Sequence, residues 1–574
     1  MEVRCNVDGD LQIHTSPLPD GRSVSRICLK NIPQNVPDAV IIVEWGFPIL
    51  DIAGRWHPTC RFDRSLRADW SYGEKSMSAV SAPIIAFYSE DGKNRGTFAV
   101  SEALKEVCMN LGVHEEDGTM KCVVTVSAKA LPEDYYEVSI LSDYRDVAYE
   151  RSIQDVASWW EKDCGFAPAY VPEAAKDPMY SFWYSYHQIF TDEEVEEECR
   201  RAARLGFKTV IVDDGWQTDD ENRGYAFCGD WEPAKKKIRD MKRHIAKVHE
   251  MGMKYLLWFS VPYVGIHSQM WEKCRDKVIT VDKEQKAGVL DIRYPEVRNY
   301  LKDIYIKAVK EWGLDGLKLD FIDEFHDRAD TPKPNGGMDC ACLQVALNKL
   351  LGETMEELKK VNPEVLIEFR QRYVGPAIRQ YGNMLRVGDC PESGLTNRVG
   401  SVDLRLLSGQ TAVHSDPIVW HRDEKPEIAA LQIVDSLFTT MQLSVRLDEM
   451  SEGQELMVQN YMDFMRTYRE LLQDGEIEAK EPHNLYPEVR VKNDDTEIIV
   501  VYSAGRVVKV RPNERKTILV NGTKADELYV CFEEAYEAEI SQIDCYGKSV
   551  REEKGKQSGI RNLACSVAGR IEII

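Results

Sequence analysis

Three patterns of apolar and polar positions follow one another along the chain. Over the first 165 residues, short runs at 23–32, 39–44, 84–88, 97–100, 120–127 and 136–141 alternate apolar with polar side chains and end at Gly, Pro, Asn or Asp. Period-two alternation between turn residues is what half-buried antiparallel strands require. Residues 1–165 are therefore expected to fold as an N-terminal β-sandwich. Residues 166–178, with Pro168, Pro172 and Pro178, read as a linker out of it.

From residue 179 the pattern changes to continuous apolar runs separated by amphipathic stretches. The runs fall at 182–186, 207–213, 254–259, 314–321, 365–369, 384–387, 411–414 and 442–445. Thr191-Asp-Glu-Glu194 has the capping-box spacing that starts a helix, and Gly206 stops it. A second helix is expected over 236–250, with Gly252 behind it, and Ser451-Glu-Gly-Gln454 opens another over 451–472. Strands apolar on both faces, alternating with helices, predict a parallel sheet covered on each side. Eight such units within residues 179–474 predict a closed (β/α)8 TIM barrel. Strand-like runs return at 497–503, 507–511, 517–520, 527–532, 540–546 and 570–573, so residues 475–574 are expected to form a small all-β C-terminal domain. The expected fold is multidomain, a central barrel flanked by two β domains.

Composition narrows the function classes. Asp and Glu number 96 against 73 Lys and Arg, a formal net charge of −23, which repels phosphate backbones and anionic bilayers. Neither nucleic acid nor a membrane is expected as partner, and a neutral substrate is favoured. The fifteen cysteines lack disulfide-framework spacing and the N-terminus lacks an apolar signal segment, so reduced thiols and a cytoplasmic location are expected. Cys340 and Cys342 have no neighbouring His or Cys to complete a zinc set, and no strand-linked GxGxxG occurs. No metal or cofactor is expected. Homo-oligomerisation stays open, because nothing in the sequence marks an interface.

In a barrel of this kind the site lies at the C-terminal ends of the strands, and acidic and aromatic residues gather there. Strand two ends in Asp213-Asp214-Gly215-Trp216, strand three at Trp258-Phe259, strand four in Lys318-Leu319-Asp320, strand five in Glu368-Phe369-Arg370, and strand six runs from Arg386 to Asp389. One such carboxylate alone is more often a helix cap or an ion-pair partner. Several converging with tryptophans suit a sugar, whose hydroxyls donate to carboxylates while an indole covers its C–H face. Alternation puts Lys318 on the same side as Asp320, so the two are expected to pair and to keep Asp320 ionised, as a nucleophile must be.

Val212-Asp-Asp-Gly-Trp216, Gly229-Asp-Trp231, Leu256-Leu-Trp-Phe259, Leu290-Asp-Ile-Arg-Tyr-Pro-Glu-Val297 and Gly316-Leu-Lys-Leu-Asp320 occur in that order. Together they resemble the melibiase-like glycoside hydrolases, family 36 and its relatives in the α-galactosidase clan, over roughly residues 180–475. The resemblance implies a retaining, exo-acting α-glycosidase of α-galactosidase type taking an α-linked oligosaccharide. It implies Asp320 as nucleophile, Asp389 as acid/base, Asp213, Asp214 and Lys318 on the sugar, and Trp216, Trp231 and Trp258 around the pocket. Arg386 is counted with the pocket residues, and alternation predicts that it faces away from Asp389.

Three stretches depart from the family. The Cys-Ser-Gly-Gly-Gly type segment after strand five, which reads the C2 substituent, is replaced by residues 367–375 with Glu368, Arg370 and Arg372. These charges either read an unusual C2 group, an acidic sugar or a second sugar unit, or form a structural ion-pair network. Ser260-Val-Pro-Tyr263 stands for the usual Glu-Pro-Glu, and Tyr184-Ser-Tyr-His187 for an Asn-Ser-Trp type motif. The alternatives are a sister α-glycosidase for α-N-acetylgalactosaminides or α-glucosides, a raffinose-type transglycosylase, and a non-catalytic carbohydrate-binding barrel.

Overall fold

The computed structural model describes residues 1–33, 38–129, 135–511 and 515–574. Two antiparallel sheets, of five and six strands, occupy residues 2–143 and close on a core that includes Ile27, Leu29, Ile41, Phe87, Phe98, Val124 and Ile140. The alternation in Ser23–Lys30 does what it predicts: Ile27 and Leu29 are buried while Arg26 and Lys30 face water.

Residues 149–163 correct the expectation of strands up to 165. They form the helix Tyr149–Asp163, in which Tyr149, Ile153, Val156 and Trp160 recur at three- and four-residue spacing and are buried. This period of about 3.6 outweighs the local strand propensity, and the helix packs on the barrel helix Gly394–Leu407.

The barrel strands are β1 (Met179–Ser181), β2 (Thr209–Val212), β3 (Lys254–Ser260), β4 (Gly316–Asp320), β5 (Leu366–Arg370), β6 (Met384–Arg386), β7 (Ala412–His414) and β8 (Gln442–Leu443). They pair in parallel, in sequence order from β1 to β7, with β8 beside β1. Parallel bridges His414↔Thr440 and Ile418↔Leu443 bring the ends of the ring together. Strand β1 lies earlier than expected, and Trp183–Tyr186 is a helical turn, because the ladder with β2 ends at Ser181↔Ile211 and the aromatics beyond it turn inward. The capping box at Thr191 and the left-handed Gly206 (φ 98°) bound their helix as predicted. The second helix starts at Met241, capped by Asp240, five residues later than expected. The last breaks at Tyr468 into Glu452–Thr467 and Arg469–Asp474. Between β3 and β4 the chain inserts a three-stranded antiparallel sheet of Tyr263–Gly265, Val278–Asp282 and Ala287–Leu290.

After residue 475 an all-β segment follows, whose core includes Val508, Leu519, Val530, Ile540 and Ile571. No helix of the described residues is long and apolar enough to cross a membrane.

Asp403, on the barrel helix Gly394–Leu407, ties the three parts together. Its buried carboxylate accepts from Trp56 Nε1 (2.7 Å), from Arg64 (3.0 Å to each oxygen) and from Tyr486 Oη (2.6 Å). Asp403→Ala leaves the buried Arg64 charge without its carboxylate, a loss of about 3–5 kcal/mol. The expected result is a clear drop in the denaturant midpoint, with a smaller drop for Asp403→Asn, whose amide oxygen still accepts.

Candidate active site

Register decides which charges meet at the mouth of the barrel. The cross-strand neighbours Trp258↔Lys318 and Lys318↔Glu368 set one layer across β3, β4 and β5, and Ser260↔Asp320 sets the next. Because Val212 is level with Leu257, Asp213 comes level with Trp258 and Lys318. Lys318 Nζ accordingly lies 2.5 Å from Asp213 Oδ2, and the expected Lys318–Asp320 pair is replaced by Lys318–Asp213. Both side chains are buried; desolvation opposes the ammonium charge, but the Asp213 carboxylate holds the pKa of Lys318 above its ordinary value.

Asp320 instead meets Arg370, one strand over in its own layer. Its Oδ1 accepts from Arg370 Nε (2.5 Å), Tyr373 Oη (2.9 Å) and its neighbour's amide, Phe321 N (2.8 Å). Its Oδ2 accepts from Trp258 Nε1 at 3.0 Å. Burial would push this carboxyl up; the charges of Arg370 and Lys318 overcome it and bring the pKa below the usual carboxylate range. The group is thus ionised without Lys318 as its direct partner.

At the end of β2, Asp214 takes Gln188 Nε2 on one oxygen and Gln217 Nε2 on the other, each at 2.7 Å. Gly215 between this pair and Trp216 has φ 113°, and a Cβ there would stand 2.6 Å from Gln188 Cα, so only glycine fits the turn. Burial, reinforced by the Asp213 charge, pushes the Asp214 carboxyl up to about 6.

The three tryptophans divide into a contact residue and its support. Trp258 donates to Asp320. Trp216 is fully buried, packs on Trp231 and Phe259, and gives its indole N–H to Trp258 O at 2.9 Å. Trp231, at φ 51°, packs against both Trp216 and Trp258. Tyr225 lies 6.2 Å from Trp258 in a stacked arrangement and stacks on Tyr263 at 4.9 Å. The sequence reading left out Tyr225 and gave Tyr263 no role beyond its place in the Ser260-Val-Pro-Tyr263 departure; both lie in the long connections after β2 and β3, where strand-end rules give no signal.

Asp389 stands half exposed, its side chain retaining 51% of its surface. The expectation that Arg386 faces away from it is overturned: Arg386 Nη2 donates to Asp389 Oδ1 at 2.9 Å. Strand β6 ends at Arg386, so alternation does not govern residues 387–389 and the turn swings the carboxylate back. Burial alone would raise the Asp389 pKa; Arg386, then Lys318, lower it below the ordinary value. The same buried guanidinium also binds Asp416 through Nη1 and lies 3.6 Å from Glu368. Glu368 is enclosed, with Gln442 Nε2 as its hydrogen-bond donor. Asp416, fully buried, accepts in addition from Tyr184 Oη (2.9 Å) and Cys390 N (2.7 Å). Burial and the nearby Asp389 charge push it up to about 7 against the pull of Arg386. Asp416 was missed, although it follows β7 as Asp389 follows β6.

Residues 174–375 match the melibiase family model. Over that stretch the chain is similar to the melibiases. Among its relatives, an α-galactosidase of Lactobacillus acidophilus is 28% identical over 148 residues, 24% of this chain and 19% of that protein. The α-galactosidase AgaA of Geobacillus stearothermophilus is 29% identical over 127 residues, 21% and 17% of the two chains. The matched part of the chain thus spans less than a fifth of either relative. The fold extends further. The crystal structure of an α-galactosidase from Lactobacillus brevis superposes with a TM-score of 0.61 at 14% identity, covering 100% of this chain and 85% of that one. AgaA in complex with raffinose gives 0.62, also at 14% identity, covering 100% and 87%.

The raised pKa of Asp214 fixes the sign of a stability effect. Between the unfolded value near 4 and the folded value of about 6, the folded state binds a proton that the unfolded chain does not. Stability from this group is present at low pH and is lost as pH rises through 6. Relative to wild type, Asp214→Asn should gain about 1–3 kcal/mol between pH 4 and pH 8, measured by denaturant unfolding across that range.

Proposed function

We propose that this protein is a retaining, exo-acting α-glycoside hydrolase of α-galactosidase type, working through a glycosyl ester on Asp320. The observation that carries the reading is the asymmetric binding of that carboxylate. Three donors occupy Oδ1, and among the described residues Oδ2 has only Trp258. Oδ2 is therefore the oxygen free to attack the anomeric carbon, while the donors on Oδ1 keep the group ionised and oriented.

Asp389 supplies the proton. In the free site Arg386 holds it ionised, which suits the second step, in which a base takes a proton from water. For the first step, a sugar covering the half-exposed carboxyl strips its water and favours the neutral form. Arg386 then keeps the carboxyl groups of Asp416 and Glu368 beside it. The protonated Asp389 gives its proton to the leaving oxygen as Oδ2 bonds to the anomeric carbon. Water, deprotonated by Asp389, releases the sugar and restores both carboxyl groups. In this reading Asp213 and Asp214, at the end of β2, take hydroxyls of the non-reducing sugar. The melibiase match and the α-galactosidase relatives support this chemistry, and AgaA structures holding raffinose and stachyose support an α-linked oligosaccharide as substrate. All fifteen cysteines are free thiols, which supports a cytoplasmic location.

Asp320→Asn should lower turnover of an aryl α-galactoside by several orders of magnitude with circular dichroism unchanged; near-normal turnover removes the nucleophile. Asp213→Ala and Asp214→Ala should each lower kcat/KM about ten- to a hundredfold, the effect of one charged hydrogen bond, and less on a substrate lacking the bound hydroxyl. Proton NMR of the first-formed sugar should show the α-anomer before mutarotation. A β-anomer means inversion, with Asp320 acting as a base.

A further inference from the structure

Arg370 is unusual equipment for cleaving a neutral sugar. Its guanidinium rests over the rings of Phe321 (5.0 Å) and Tyr373 (5.8 Å) and gives Nε to Asp320. Its two terminal nitrogens donate no hydrogen bond to any described residue, and the side chain keeps 19% of its surface open. Arg372 is 57% exposed and stands 3.6 Å from Asp323, beyond hydrogen-bond range. The segment that carries both is fixed from outside the barrel: Ser81 N donates to Arg372 O at 2.5 Å, and Gln371 donates to Pro58 O at 3.3 Å. The backbone that carries both is thus held in place, with the Arg370 guanidinium on the nucleophile and the Arg372 guanidinium near Asp323.

Glycoside cleavage builds positive charge on the anomeric carbon and ring oxygen. A guanidinium bonded to the nucleophile opposes that charge and makes the carboxylate less basic. Once the ester forms, the Asp320 charge disappears and Asp323 remains as a carboxylate neighbour of Arg370. An anion on the substrate offsets both penalties, and planar guanidinium forks suit sulfate and carboxylate. We propose, resting on the glycosidase reading above, that the sugar cleaved here carries an anionic group beside its anomeric centre, bound by Arg370 and Arg372. The two positions flanking that centre are C2, where the group is a sulfate, and C5 across the ring oxygen, where it is a uronate carboxylate. The net charge of −23 does not oppose this: at physiological salt, fields are screened within about 8 Å, so the contacting arginines dominate.

The test compares 4-nitrophenyl α-galactoside with its 2-sulfate and with 4-nitrophenyl α-galacturonide, on wild type, Arg370→Met and Arg372→Met. One anionic glycoside should exceed the neutral one about ten- to a hundredfold in kcat/KM. The advantage should shrink with added salt and in Arg372→Met, and vanish in Arg370→Met; which arm responds locates the group. A neutral glycoside cleaved as well or better by wild type overturns the proposal, as does an advantage that survives Arg370→Met. If Arg370→Met does not fold, the wild-type and Arg372→Met comparison decides. If none of the three is cleaved, the glycosidase reading fails separately. Calorimetry of wild type with galactose, galactose 2-sulfate and galacturonate still decides the anion: tighter binding of either acidic sugar upholds it, and equal or weaker binding overturns it.

Discussion

Everything at the mouth of the barrel depends on keeping one carboxylate, Asp320, ionised where water scarcely reaches it. An unpaired carboxylate in that position costs several kcal/mol and would take up a proton instead. Four donors prevent this, from β3, from β5 and the turn behind it, and from the residue following β4. Their convergence is a matter of register. Sliding β5 by one residue would set Phe369 level with Asp320 and leave the charge facing a phenyl ring. The order of the apolar strands therefore serves the site as much as the core.

The donors need their own support, and it comes from beyond the barrel ring. Trp258 is backed by Trp216 and Trp231, and the glycine before Trp216 is dictated by the close approach of Gln188. The turn bearing Arg370 and Tyr373 is pinned by backbone groups of residues 58 and 81 in the first β segment. Asp403 locks that segment to the barrel through Trp56 and Arg64, and to the last β segment through Tyr486. The early β residues thus bear on Asp320 through a short chain of contacts.

The element types of the barrel and most of its acids were legible in the sequence because both depend on local pattern. Capping boxes, glycine stops and apolar runs are short-range signals, and strand-end carboxylates such as Asp213 and Asp320 follow from them. What was not legible depends on neighbours distant in sequence. Alternation placed Lys318 on the correct side but could not show that Asp213, two strands away, lies level with it. It failed for Arg386 because the strand ends there, and a turn has no period. Tyr184, Tyr225 and Tyr373 come from turns and long connections, whose side chains no periodicity aims. The helix at 149–163 was legible in principle, since its apolar spacing is helical, but it follows immediately on a strand-rich stretch.

The remaining asymmetry lies between two carboxyl groups that share one cation. Arg386 bonds both Asp389 and Asp416, yet their environments push them apart: the first is lowered and half open, the second is raised to about 7 and enclosed. Divergence of this kind separates acid from base roles at a site, but here access limits the choice. Asp416 has proton affinity suited to neutral pH and no surface from which to meet a sugar. Asp389 has the surface and, in the empty site, too little affinity to hold a proton. Under the proposed chemistry the sugar itself closes the gap, because covering Asp389 removes the solvent that stabilised its charge. Arg386 keeps its contacts with Asp416 and Glu368 when Asp389 becomes neutral. The acid is then armed by the arrival of its substrate, and a second buried carboxylate is what lets the arginine release it.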